Sequence, residues 1–169
     1  KLATNTVAAT IDAMPDSEFS FMKQLIKETG FNEVLEGKTP ARSGNESDED
    51  KYVTFFMHSN ASLEEEGINT KEDLLVRLRN NTPDVTDDNE LLLNYIKYHC
   101  LPGRKYITDL MYASALSTYG SNEVLTFKMD KELNILLNEF KVDEIDEEGM
   151  LLDKESEYSD LTCANGVIH

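Results

Sequence analysis

Tryptophan is absent from this chain, cysteine occurs twice, and Lys and Arg together number 16 against 33 Asp and Glu. The resulting net charge of −17 excludes a nucleic-acid partner, because phosphates are met by Lys and Arg. It also excludes simple electrostatic attachment to anionic lipid. Neither Cys100 nor Cys163 has a second Cys or His at metal-ligand spacing. No apolar run approaches the roughly 20 residues that a membrane-spanning helix needs, so no membrane insertion is expected of this segment. A Gly-x-Ser-x-Gly nucleophile motif, a Gly-rich phosphate loop and an internal repeat are all missing. The acid groups around Asp48 and Asp143 lack the alternating ligand spacing and central glycine of an EF-hand loop. Lys1-Leu2-Ala3-Thr4-Asn5 carries no signal-peptide core, as expected of a mature or excised fragment.

What is present is enough for one soluble domain: 169 residues, 40% hydrophobic and 29% charged. Pro15-Asp16-Ser17-Glu18 predicts a helix start with Asp16 or Ser17 as N-cap. Phe19, Met22 and Ile26 follow at helical spacing, and Gly30 suits the position just past the end. Residues 38–50 read as a loop. Tyr52 to Met57 is β-branched and aromatic, predicting a strand buried on both faces, with Phe55 or Phe56 facing inward. Thr70-Lys71-Glu72-Asp73 is a capping-box pattern, and Asn80-Asn81-Thr82-Pro83 ends that helix. Asp87-Asp88-Asn89-Glu90 opens the next helix with acids at the positive end of its dipole, and Pro102-Gly103 closes it. Leu92 and Ile96 on that helix are expected to be buried.

Later residues change character. Leu125 to Met129 and Leu133 to Leu137 predict two strands of a hairpin. Residues 141–160 are acidic and read as a loop or edge strand, and Gly166-Val167-Ile168 begins a late strand. Helices early and strands late give an α+β domain. Sequons at Asn45, Asn60 and Asn80 matter only in a eukaryotic secretory host.

Three segments carry a resemblance. Tyr52 to Leu63 ends in His58-Ser59-Asn60, Tyr98-His99 closes a helix before Leu101-Pro102-Gly103, and Asn165-Gly166-Val167-Ile168-His169 stands last. Between them, Lys105 to Leu110, Leu116-Ser117-Thr118-Tyr119-Gly120 and Leu125-Thr126-Phe127-Lys128-Met129 also fit. In this order they resemble a fasciclin-like (FAS1) domain, over about Thr6 to His169. The usual Ala-Pro-Thr-Asn of the first box lacks its proline here. The resemblance implies a single domain over residues 1–169, a sandwich or wedge of two small sheets with several helices packed along one side. It also implies a final strand beyond His169, and a parent protein with further copies. Such domains are mostly extracellular or cell-surface modules, periplasmic-facing or lipid-anchored in bacteria.

The function expected is therefore a non-enzymatic adhesion or interaction module with a surface protein or glycan as partner, and no cofactor. Its candidate motif residues are Tyr98, His99, Leu92, Ile96, Asn165, Gly166 and His169. Tyr98 and His99 admit two readings: a contact surface, as the resemblance implies for some members, or packing residues with bonded polar tips. Asn165-Gly166 suits a tight turn in which Asn takes positive φ. Cys100 and Cys163, each beside a motif, admit either a mutual disulfide or two separate apolar fillers. The alternative function is a metal-dependent or hydrolytic domain built from His58, His99, His169 and nearby acids.

Overall fold

A computed structural model describes residues 3–41, 48–120, 124–138, 140–142, 145–147 and 150–169. The chain opens with three helices, α1 (Val7–Ala13), α2 (Asp16–Glu28) and α3 (Asn32–Leu35). Strand β1 (Val53–Phe55) leads into α4 (Asn60–Glu65), α5 (Lys71–Asn81) and α6 (Asp88–Tyr98). Then come β2 (Cys100–Pro102), α7 (Ile107–Leu110), β3 (Ala115–Ser117), β4 (Val124–Met129) and β5 (Ile135–Leu137). The last elements are β6 (Phe140–Val142), β7 (Ile145–Glu147), β8 (Met150–Leu152), β9 (Leu161–Cys163) and β10 (Gly166–Ile168). The first sheet has strand order β2-β1-β10-β9 and the second β3-β4-β5-β8, while β6 and β7 pair with each other. This is the expected α+β arrangement of two small sheets with helices along one side.

Local chemistry accounts for the helix ends. Thr70 Oγ1 accepts from the Asp73 amide at 3.2 Å while Asp73 Oδ2 accepts from the Thr70 amide at 2.8 Å, the reciprocal capping box. Asp87 caps α6 through the Asn89 amide at 2.9 Å. Gly30 follows α2 at φ 73°, a conformation with no steric objection for glycine. Two expected boundaries shift. Pro15 is the N-cap of α2, so Asp16 lies inside the first turn without a side-chain cap. Helix α6 stops at Tyr98, and residues 100–102 form β2 before Gly103. His99 takes the C-cap, and its carbonyl is bonded by the Phe56 amide at 2.9 Å, so strand pairing ends the helix.

Ser59 starts α4 by capping it through the Ser62 amide at 3.1 Å. Asn60 then ties α4 to α2. Its Oδ1 accepts from the Phe21 amide at 3.1 Å and its Nδ2 donates to Ser20 Oγ at 3.0 Å. A glycan on Asn60 Nδ2 would disrupt the latter bond; Asn45 lies outside the described residues.

The first sheet separates two cores. Toward the helices it presents Val53, Phe55, Cys100 and Ile168, packed with Leu25, Leu92 and Ile96. Toward the second sheet lie Phe56 and Leu101, packed with Leu125, Phe127, Ile135, Leu137 and Leu152. Both Phe55 and Phe56 are therefore buried, because successive side chains at β1 point to opposite faces and both faces are covered. The expectation that only one faces inward is corrected.

At the centre of this sheet β1 and β10 run parallel, Val53 opposite Gly166 and Phe55 opposite Ile168. A Cβ on Gly166 would lie 2.1 Å from the Val53 carbonyl oxygen and 2.8 Å from Val7 Cγ2. The glycine is required by this close approach, since its φ is not positive. Nor is that of Asn165, and the two-residue hairpin between Cys163 and Gly166 is Ala164-Asn165. The expectation of a positive-φ Asn is corrected. Asn165 instead uses its side chain: Oδ1 accepts from the Val7 amide at 2.9 Å and Nδ2 donates to the Leu35 carbonyl at 3.0 Å. One residue thus satisfies an otherwise orphan amide of α1 and a terminal carbonyl of α3.

Cys100 on β2 and Cys163 on β9 are both buried free thiols. Two strands lie between them, three spacings of about 4.8 Å, which is too far for a disulfide. They are the separate apolar fillers of the second reading.

Two substitutions test this packing. Gly166→Ala is expected to destabilise by about 3 kcal/mol, because backbone must shift to admit the methyl group. Leu92→Ala, removing a side chain only 3% exposed, is expected to cost about 2–5 kcal/mol. Urea unfolding midpoints measure both, and an unchanged midpoint for either contradicts the packing described.

Candidate functional site

The three histidines all sit where the two cores meet, yet they do different things. His99, at the end of α6, is buried and its Nδ1 donates to the Tyr95 carbonyl at 2.7 Å. Its ring meets Tyr95 edge-on at 4.6 Å between centroids and His58 edge-on at 5.1 Å. His58 Nδ1 is buried without a hydrogen-bond partner. His169 is held from both sides: Nε2 bonds the Lys105 carbonyl at 2.6 Å and Nδ1 accepts from the Asp160 amide at 3.3 Å. Its ring stacks on Phe56 at 5.5 Å. Its backbone continues the β1 ladder, with the Met57 amide on its carbonyl at 2.7 Å.

The trio expected for a metal therefore does not assemble. His169 spends both ring nitrogens on protein groups, and no cluster of three metal-ligating side chains forms among the described residues. His58 and His99 form a pair, which two neutral imidazoles tolerate.

Burial sets their charge state. His99 is pushed down to about 3 by its burial and then by neighbouring His58. His58 is lowered by burial against a weaker opposing pull from Glu66. His169 is lowered by burial, opposed by its bond to Lys105 and by Asp160. Burial also raises the Tyr95 phenol and the Cys100 thiol, so neither ionises near neutrality.

Tyr98 is half-buried beside the second core, and its hydroxyl bonds the Asn138 side-chain amide. Leu92 and Ile96 are buried in the first core. Asn165 and Gly166 build the β1–β10 junction described above. The motif residues thus converge on structural joints: Tyr98 between α6 and the second sheet, His99 between α6 and the end of β1, and Asn165, Gly166 and His169 around β10. Leu92 and Ile96 pack beneath them rather than presenting a surface.

Around the histidine pair lies a cavity of about 270 Å³, lined by Phe56, His58, Tyr95, Tyr98, His99 and Leu137 among others. A second, of about 530 Å³, shares Phe56, His58, Leu137 and Met150 with it. Glu66 lines the first and is exposed; its carboxylate meets Arg77 Nη1 at 3.1 Å. Sequence reading places Tyr95 on the helix face shared with Tyr98 and His99, but missed Asn138 and Glu66. Neither of those two left a signal in the sequence. Tyr112 carried none, yet it is 90% exposed, the most exposed large aromatic side chain among the described residues.

A pH dependence follows. An unfolded chain protonates its histidines near pH 6.5, whereas His99 in the fold waits until about 3. Unfolding between those values takes up a proton, so stability is full above pH 6.5 and is lost as pH falls toward 3. At pH 5 the loss from His99 alone is about 2 kcal/mol, and His58 and His169 shift in the same direction. Urea unfolding at pH 7.5 and pH 5 measures it. A flat profile, or one unchanged in His99→Asn, contradicts the buried neutral imidazole.

The sequence profile of the Fasciclin domain matches residues 17–169. Among solved structures, a FAS1 domain pair from the insect cell adhesion molecule fasciclin I aligns with 98% of this chain, at 14% identity and a TM-score of 0.49. The chain spans 48%, about half, of that longer chain. No curated protein matches it in sequence. Matched from the first turn of α2 through His169, the chain belongs to the fasciclin family, whose domains are known as adhesion-type modules.

Proposed function

We propose that this domain is a non-enzymatic interaction module, displayed outside a cell or on its surface, that binds a protein or glycan partner. Family membership over residues 17–169 is the observation that carries this reading. The net charge of −17 bears on the partner: a face rich in Lys or Arg is attracted to it, and association slows as salt screens the attraction. Further copies in a longer parent protein would add avidity without new contacts.

The contact surface in this reading is not the Tyr-His pair. His99 is 7% and His169 6% exposed, so neither offers a side chain to a partner. Tyr98 and His99 serve binding indirectly, by holding α6 against the second sheet and the end of β1 respectively. Tyr112, just past α7, suits contact better, because an exposed tyrosine contributes large rigid area at low entropic cost.

A panel of cell-surface proteins and glycans, screened at low and high salt, tests the proposal. Expected is at least one saturable partner whose binding weakens with salt. Tyr112→Ala should lower that affinity by more than about tenfold while leaving the unfolding midpoint unchanged. Tyr98→Phe and His99→Asn should keep binding wherever they keep the fold. A folded His99 variant without binding would return the pair to the contact surface, and a blank screen would defeat the adhesion reading.

A further inference from the structure

Helices α5 and α6, with Glu66 at the end of α4 and Val124 at the start of β4, enclose a cleft of about 480 Å³. That volume falls within the roughly 300–1,000 Å³ of ordinary ligand sites. Its floor is apolar, made by the buried side chains of Ile68, Leu74 and Leu91. Polar groups stand around that floor. Asn81, the last residue of α5, is exposed, and its side-chain amide makes no hydrogen bond to the described residues. Arg77 donates from Nη1 to Glu66 Oε2 at 3.1 Å and from Nη2 to the Glu66 carbonyl. Both partners of this pair are partly exposed, so its remaining N–H groups and second carboxylate oxygen stay open to a ligand.

The fourth polar group is the Tyr95 hydroxyl. His58 Nδ1 and Ser159 Oγ are the polar side-chain atoms sealed from solvent without a partner among the described residues. The Tyr95 hydroxyl also has no partner, yet it is not sealed, so it opens onto solvent-accessible space. Tyr95 lines both this cleft and the cavity beside His99, and Arg77 decides between them. Burial raises the Tyr95 phenol, Glu66 raises it further, and Arg77 opposes both. Arg77 lines this cleft and not the other cavity, so a hydroxyl that feels its charge lies at the cleft end of the ring.

Nothing here favours a charged occupant. The one carboxylate among the lining residues, Glu66, is already paired, and the net charge of −17 repels anions. A ligand with a single hydroxyl would leave most of the polar rim unmatched. Donors and acceptors around an apolar floor match a ring that bears several hydroxyls on its edge and C–H groups on its face. We propose that this cleft binds one neutral sugar residue of a glycan, with its hydroxyls on Asn81, Tyr95 and the Arg77–Glu66 pair and its C–H face over Leu74 and Leu91. The assignment rests on the reading of this domain as an interaction module, and gives a glycan partner a seat apart from Tyr112.

The probes are the methyl glycosides of glucose, galactose, mannose and N-acetylglucosamine. Cyclohexanol and methyl glucuronide serve as the one-hydroxyl and the anionic comparisons. Heteronuclear NMR at pH 7.5 follows the backbone amides and the Asn81 side-chain amide. Expected is saturable binding of at least one neutral glycoside with a Kd of about 1 mM, from about thirteen non-hydrogen atoms at the efficiency of ordinary ligands. Shifts should centre on Asn81, Leu91 and Tyr95, and the two comparison compounds should not saturate. Asn81→Ala alters an exposed side chain, and Tyr95→Phe removes only a hydroxyl. Each should weaken binding by about fivefold, the ratio given by one ordinary hydrogen bond. If Tyr95→Phe fails to fold, Asn81→Ala and the shift map decide alone. The proposal is overturned if no glycoside binds, if the shifts fall elsewhere, if cyclohexanol or the glucuronide binds as well, or if folded variants bind like the unmodified chain. Glycosides that fail while the surface screen finds a partner remove the cleft and leave the module reading standing. Glycosides that saturate the cleft beside a blank screen uphold the sugar site and defeat the adhesion reading.

Discussion

Gly166 lies so close to the Val53 carbonyl that a single methyl group at its Cα would occupy the same space. On that contact depends the parallel pairing of β1 with β10, and on that pairing much else. With β10 in register, Asn165 reaches the Val7 amide and the Leu35 carbonyl, which seats α1 and α3 on the sheet. Two residues on, Ile168 enters the helical core, and His169 lands across Phe56 with its ring nitrogens on Lys105 and Asp160. A slip of one position would turn Ile168 toward the second sheet and Val167 toward the helices.

Helix limits were legible because their causes are local. Thr70 with Asp73, Asp87 before α6 and Gly30 after α2 act within one turn of sequence. Local chemistry also misled where a distant partner decides. The helix bearing Tyr98-His99 ends before Pro102-Gly103 because Phe56 claims the His99 carbonyl from another strand. Asn165-Gly166 looks like a positive-φ turn, but its residues are selected by Val7, Leu35 and Val53, all more than a hundred positions away. The family motifs, read as residues in order, fall at these joints without saying what each side chain does. The cavity was not legible at all. It arises where α6, the end of β1 and the second sheet fail to fill the space between them, and no stretch of sequence records a gap.

The histidines divide the labour that a shared residue type suggests they share. His169 is fully bonded and fixes a strand end, His99 donates within its own helix end, and His58 keeps a free nitrogen. All three are neutral at physiological pH because burial outweighs their acidic surroundings, even in a chain of net charge −17. The strong negative field thus stays on the outside. It repels other acidic chains and anionic surfaces, and leaves the interior to packing and hydrogen bonds.

The central pairing has a temporal side as well. Phe55 and Ile168 are neighbours in the sheet but 113 residues apart in the chain. During synthesis β1 leaves the ribosome long before its central neighbour exists, and until then its hydrophobic edge has no partner on that side. Helices α4 to α6 can form early from local contacts, whereas the first sheet closes only as residues 166–168 emerge. Closing so large a loop makes sheet completion the slow event of folding, and exposes an unpaired strand edge to other chains in the meantime.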